Sequence, residues 1–195
     1  MSLRRLLGDR LYLLQLWRDR FELRDLHSGE VISEPPLVVL GDQAGKVVFV
    51  AAGHEALSMA LEEGMRRVSV TDHPRVLIGD FALAEKYLQW LLRKAAGNRL
   101  FPAAPRLVMQ QRDCLEGGLT EVELRVLREL ALGAGAREVL VVEGAQQLSL
   151  EQVEQAFADQ RKGTGKRASS LMSGVVTLVV LAAFAAAVLL RNVGN

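Results

Sequence analysis

The chain has one cysteine, Cys114, so no disulfide can close within it. A lone thiol fits a reducing compartment. In Arg112-Asp113-Cys114 it has no histidine nearby in sequence, which leaves it a structural or idle thiol rather than an activated one. His27, His54 and His73 are the only histidines. They are far apart and lack Cys/His neighbours at ligand spacing, which argues against a zinc site. Net charge is +1, so there is no global bias toward nucleic acid. A full phosphate loop is missing too. Lys162-Gly163-Thr164-Gly165-Lys166 lacks the spacing, the following Ser/Thr and the preceding strand that such a loop needs. A solvated basic linker is the simpler reading.

What is abundant is apolar. Hydrophobic residues make up 50% of the 195, and part of the excess sits in one C-terminal block. The length allows one good core plus an appendage. The organising stretch is Thr120 to Glu143, read as helix, glycine turn and buried strand. Thr120 and Glu123 form a capping box. Val122, Val126 and Leu130 fall at i, i+4 and i+8, with Leu127 and Ala131 widening the apolar face. Glu121–Arg125 and Arg125–Glu129 pair opposite charges on the wet side. Gly133 and Gly135 end the helix. Val139 to Val142 is apolar on both faces, as in a parallel sheet covered by helices on both sides.

Upstream, Leu11–Leu16, Phe21–Leu26 and Glu30–Ser33 read as three short strands. Glu34-Pro35-Pro36 breaks the run. Leu37–Leu40 and Lys46–Ala52 flank the turn Asp42-Gln43-Ala44-Gly45. Gly53–Glu63 reads as a short helix and Arg66–Val70 as a strand. Asp80 caps a helix whose face is Phe81, Ala84, Leu88, Leu91 and Ala95, ending at Gly97-Asn98. Arg106–Gln110 is a strand, and Ser149–Lys162 a last helix with Val153 and Phe157 as its apolar contacts. Without an insertion at about 37–70, the order is β-β-β-α-β-α-β-α. That is an α/β fold, the order of one lobe of the actin and ribonuclease-H-like architecture. Trp17 and Trp90 read as core or subunit-contact residues, and His54 as a local hydrogen-bonder.

The two ends point to a membrane. Met1–Leu7 is basic and apolar, either a frayed terminus or a small amphipathic foot on anionic lipid. Arg161, Lys162, Lys166 and Arg167 lie in a basic, glycine-bearing linker within 163–170 and just before it. After it, Leu171 to Leu190, through Val180, carries no charge. At about 1.5 Å per residue, roughly 20 residues span the ~30 Å hydrocarbon layer. The expectation is a single transmembrane helix over 171–190 and a short tail over 191–195. The preceding basic cluster predicts that the 11–162 lobe faces the cytoplasm from the inner membrane.

The wording LRELALGAGAREVLVVEG (Leu127–Gly144) resembles the MreB family of bacterial actins, which guide rod-shaped wall growth. GEVISEPPLVVL (Gly29–Leu40), AAGHEAL (Ala51–Leu57), GDFALAEKYLQ (Gly79–Gln89) and APRLVM (Ala104–Met109) extend the resemblance over roughly Leu11 to Glu143. It implies an actin-like lobe in which 37–70 is the small tip subdomain. It also implies a place for ATP between two lobes, with phosphates held by glycine hairpins and metal by acidic residues. The family's first hairpin runs Asp-Leu-Gly-Thr. Here Leu13 stands where the Asp belongs and Gln15 where the Gly belongs, so the phosphate loop is degenerate. The late strand is followed by Glu143-Gly144-Ala145 where the family has Glu-Glu-Pro, and Glu143 alone keeps its position. No second glycine hairpin is present. No catalytic residue, metal or cofactor is expected, and the chain is expected not to be an enzyme.

The expected function is therefore a tail-anchored docking or filament-associated module in cell-shape and envelope organisation. Its partners would be the membrane and a protein, MreB or another envelope component, and not nucleic acid. Two alternatives stand beside it: an ATP-binding half completed by a partner chain, and an assembly platform of another envelope machine.

Overall fold

A computed structural model describes residues 10–72, 76–97, 103–113, 117–143 and 148–162. Its frame is a five-stranded sheet in the order β3-β2-β1-β7-β8. The central strand β1 (Leu11–Leu16) pairs antiparallel with β2 (Phe21–Asp25) and parallel with β7 (Arg106–Gln111). β3 (Val31–Glu34) extends one edge antiparallel to β2, and β8 (Glu138–Val142) lies parallel to β7 at the other. The three-strand hairpin run and the parallel pair are those expected from the sequence.

A second sheet branches off after β3. β4 (Leu37–Gln43) sits between β5 (Lys46–Ala52) and β6 (Arg66–Ser69), all antiparallel, and α1 (Gly53–Ser58) packs beside β4 and β5. The insertion at about 37–70 is thus a small subdomain of its own. β4 runs three residues further than the sequence suggests. Its pairing continues through Gly41↔Val48, Asp42↔Val47 and Gln43↔Lys46, so the reversal tightens onto Ala44-Gly45, both left-handed at φ 55 and 79. α1 stops at Ser58 instead of Glu63. Arg67 of β6 donates to the carbonyls of Ala56 at 2.7 Å and Met59 at 2.8 Å, acceptors that a longer helix would have used for its own amides.

Two helices cover one face of the main sheet. α2 (Phe81–Ala96) starts where Asp80 accepts from the Leu83 amide, and buries Ala84, Tyr87, Leu88, Leu91 and Leu92. At about 2 kcal/mol for each large buried side chain, that face contributes several times what helix propensity alone supplies. α3 (Glu121–Gly133) has the expected capping box, with Thr120 and Glu123 bonded reciprocally. These helices meet Tyr12, Leu14 and Leu16 of β1, Leu107 and Met109 of β7, and Val139 of β8 in one core. Val38, Ala52 and Val70 of the small subdomain join that same core. Leu11, Leu13 and Val108, on the opposite face, are buried as well.

The expected buried face of α3 is corrected here. The buried face of α3 is Leu127, Leu130 and Ala131, while Val122 is 71% exposed and Val126 half-buried. Each i+4 step advances about 40° around a helix, so two such steps carry Val122 well away from the Leu130 side. β8 is the other edge of the main sheet. Within it Val139 is buried and Leu140 to Val142 are half-buried, and β7 is its neighbour on one side. The last helix, α4, spans 150–162 and forms part of a separate compact unit, with Val153 and Phe157 as buried positions.

Thr120→Ala is expected to cost about 1 kcal/mol, the usual worth of an N-cap side chain. The Thr120 amide, then its hydroxyl, hold the Glu123 carboxyl below the ordinary carboxylate range. A carboxyl depressed in the folded state stabilises above its unfolded pKa and loses that contribution as pH falls through its folded one. Urea unfolding should therefore show the gap between wild type and Thr120→Ala narrowing on acidification from pH 7.

Candidate functional site

In open α/β sheets, ligands bind beyond the carboxyl ends of the parallel strands. Here that end is formed by β1, β7 and the β1–β2 turn, which is also where the resemblance puts the first phosphate loop. Leu13 is 8% exposed, between Arg24 of β2 and Val108 of β7 in register. Gln15 pairs with Gln110 in register, and its Nε2 donates to Gln110 Oε1 at 2.7 Å. Both positions where the resemblance placed phosphate and metal chemistry are therefore built into the sheet.

The turn itself is closed from within. Trp17 N–H donates to Arg20 carbonyl at 2.9 Å. The amide of Arg18, at the tip, donates to Asp113 Oδ2 at 2.8 Å. Backbone amides of tight turns are the usual anion-holding groups, and here a carboxylate of the same chain takes one. Asp113 is presented by the end of β7, where Gln111 Nε2 donates to its carbonyl at 2.8 Å. The Trp17 ring is flanked by two guanidiniums, Arg20 at 4.0 Å and Arg112 at 5.6 Å from its centroid. Thr71 Oγ1 donates to the Arg18 carbonyl at 2.8 Å, tying the turn to the strand that leaves the small sheet.

Glu143 is exposed just past β8. Among the described residues, no group of three or more His, Cys, Asp or Glu is placed to hold a metal ion. A cavity of about 420 Å³ opens at the opposite end of β1 and β7, lined in part by Arg10, Tyr12, Leu92, Arg93 and Pro105, and it contains none of these site residues.

A second polar centre lies behind the sheet, and the sequence reading missed it. Glu34, read only as the start of a break, is 4% exposed. Its Oε1 accepts from Lys94 Nζ at 2.6 Å, and its Oε2 from the amide and Nδ1 of His54, both at 2.8 Å. Burial by itself pushes this carboxyl up; the Lys94 ammonium and the His54 bonds outweigh it and hold the carboxyl below the ordinary value. Tyr87 beside it donates its hydroxyl to Pro35 carbonyl at 2.8 Å, and burial, then the Glu34 charge, push that phenol up. Trp90 stacks in the same corner, 5.4 Å from Tyr87, with Lys94 5.2 Å from its ring. His54 is thus a long-range bonder rather than a local one. A buried acid at a strand end, followed by two prolines, was the available signal.

Of the expected membrane residues, Arg161 and Lys162 close α4, with Lys162 Nζ 3.5 Å from Asp159. Lys166, Arg167, Leu171, Val180 and Leu190 lie outside the described residues, as does Cys114. No described helix is long and apolar enough to cross a membrane.

The order β3-β2-β1-β7-β8, with α2 and α3 on one face and a small sheet inserted after β3, defines a single lobe of the actin-like class. The chain superposes on the crystal structure of MreB5 of Spiroplasma citri bound to ADP with a TM-score of 0.53, at 20% identity over 69% of this chain and 38% of that one. A MamK non-polymerising A278D mutant bound to AMPPNP gives 0.51, at 15% identity over 70% and 41%. The family model for the MreB/Mbl protein matches residues 25–150, and the chain belongs to that family. It is 36% identical over 117 residues to the cell shape-determining protein MreB of Escherichia coli K12, and 33% identical over 117 residues to that of Haemophilus influenzae. These matches take in 59% of this chain, which spans about one third of the length of those relatives.

Proposed function

We propose that this lobe serves as a non-catalytic docking module for MreB-family filaments or neighbouring envelope proteins, tethered to the inner membrane through 171–190 with the lobe in the cytoplasm. The observation that carries this reading is the closed end of β1. Leu13 is buried, Gln15 is bonded to Gln110, and Asp113 takes the tip amide of the β1–β2 turn. A phosphate would have to displace that carboxylate and accept the glutamine side chains beside it. Charge adds to this: Asp113 opposes an anion at the turn, while Arg20 and Arg112 are engaged on Trp17. What the lobe keeps is surface, and an actin-like lobe offers surface to other lobes.

The experiment has two arms. Full-length chain in detergent should show no thermal shift on adding magnesium with ATP or ADP. It should also co-purify with MreB, and lose that association when residues 10–162 are deleted. A nucleotide-induced rise of several degrees would favour the second reading, an ATP-binding half completed by a partner. Absence of MreB, with a different envelope protein recovered by crosslinking, would favour the assembly platform.

A further inference from the structure

We propose that Glu34 is a releasable clasp that sets the angle of the small sheet against the main sheet. The chain leaves the main sheet through Pro35-Pro36 and returns through Val70-Thr71. Glu34 is the last residue of β3, on the main-sheet side of the outward crossing. Its carboxylate joins three elements. One oxygen is held by Lys94 of α2, which packs on the main sheet, and the other by the amide and ring of His54 in α1, which packs on the small sheet. Tyr87 of α2 fixes the adjoining carbonyl of Pro35. The return crossing is fixed separately, by Thr71 on Arg18.

Apolar packing holds the small sheet to the main one, and the Glu34 bonds are the charged, directional contacts beside it. Val38, Ala52 and Val70 enter the shared core and Leu40, Phe49 and Val68 pack against it, whereas Val47 is 61% exposed and Val50 38% exposed. The clasp is also accessible. The carboxylate is buried, but the side chains that hold it are 47% exposed at Lys94 and 66% exposed at His54. Freed of Glu34, the small sheet keeps that apolar packing and the Thr71 tether, which then act as a pivot. Glu34 is a positioning residue in this scheme, and the proposal stands independently of the docking reading.

The test uses full-length protein in detergent with Cys114→Ser as background and spin labels at Val47→Cys and Val122→Cys, both exposed. Glu34→Gln and Lys94→Met should each broaden or shift the interlabel distance distribution. Amide exchange in 46–58 should accelerate at least about tenfold, while β1 and β7 stay within about twofold of wild type, as local rather than global opening requires. Unchanged distances in both variants overturn the proposal. So does a uniform loss of protection across both sheets, which would make Glu34 a general stabiliser. Lys94→Met, which leaves the strand residue in place, decides the matter should Glu34→Gln fail to fold.

Discussion

Gly53→Ala is expected to destabilise the lobe by about 3 to 5 kcal/mol, against about 1 kcal/mol for Gly45→Ala. Both glycines are left-handed, at φ +65 and +79, so the backbone cost of adding a Cβ is similar at the two positions. Their surroundings differ. A Cβ on Gly45 meets nothing within 4 Å, whereas one on Gly53 overlaps the Glu34 carboxylate and comes within 2.6 Å of the Trp90 ring. Both neighbours are held: Glu34 by Lys94 and His54, Trp90 by Tyr87. Relief therefore moves a buried carboxylate off its partners, and an incompletely paired buried charge is costly. Half-exposed Lys94 moderates that cost, since solvent screens it. Urea unfolding of the two variants side by side separates the shared strain from the clash. Equal losses would mean that the Glu34 corner yields freely.

The same corner sets an acid dependence. The Glu34 carboxyl is held below its ordinary value, so its contribution is fully present above the unfolded carboxylate pKa and is lost as pH falls through the lower folded one. Gly53→Ala displaces this group, so the variant should lose less stability than wild type over that acid range. The charged and titratable groups facing Glu34 are Lys94, His54 and Tyr87.

Local signals carried the parts of this lobe that were readable. The Thr120–Glu123 box and the Asp80 cap each act across three positions of the chain, and both helices begin where those patterns place them. The strand run from Leu11 to Glu34 was legible because turn residues punctuate it. The small sheet was legible as an insertion, and its family resemblance carried what pattern alone left open. The rest depends on distance along the chain. Glu34 meets His54 twenty residues away and Lys94 sixty away, and Arg18 meets Asp113 ninety-five away. No window of sequence contains those pairs. Val122 failed for a different reason. Its spacing is helical, but burial on α3 is decided by where the helix crosses the sheet, and only Leu127, Leu130 and Ala131 lie on that line.

Placing at position 13 the acid that the resemblance leads one to expect there should harm the lobe rather than revive it. Leu13→Asp should cost about 2 to 4 kcal/mol, since it places a carboxylate at a buried position whose cross-strand neighbour, Arg24, is engaged with Glu22. Leu13→Met, similar in volume, should cost less than about 1.5 kcal/mol. Leu13 lies on the β1 face that also carries buried Leu11, with Val108 as its partner in register. Beyond it, Gln15 and Gln110 bond to each other, and the Arg18 amide is held by Asp113. Changing one residue therefore leaves the neighbouring groups arranged for a closed turn. The double variant Leu13→Asp, Gln15→Gly should lose the Gln15–Gln110 bond in addition, and still show no thermal shift with magnesium and ATP. Should Leu13→Asp keep wild-type stability, or the double variant be stabilised by the nucleotide, the carboxyl end of β1 would be an intact cleft lacking only its ligands. The non-catalytic reading would then fail, because it requires the substitutions to be structurally committed.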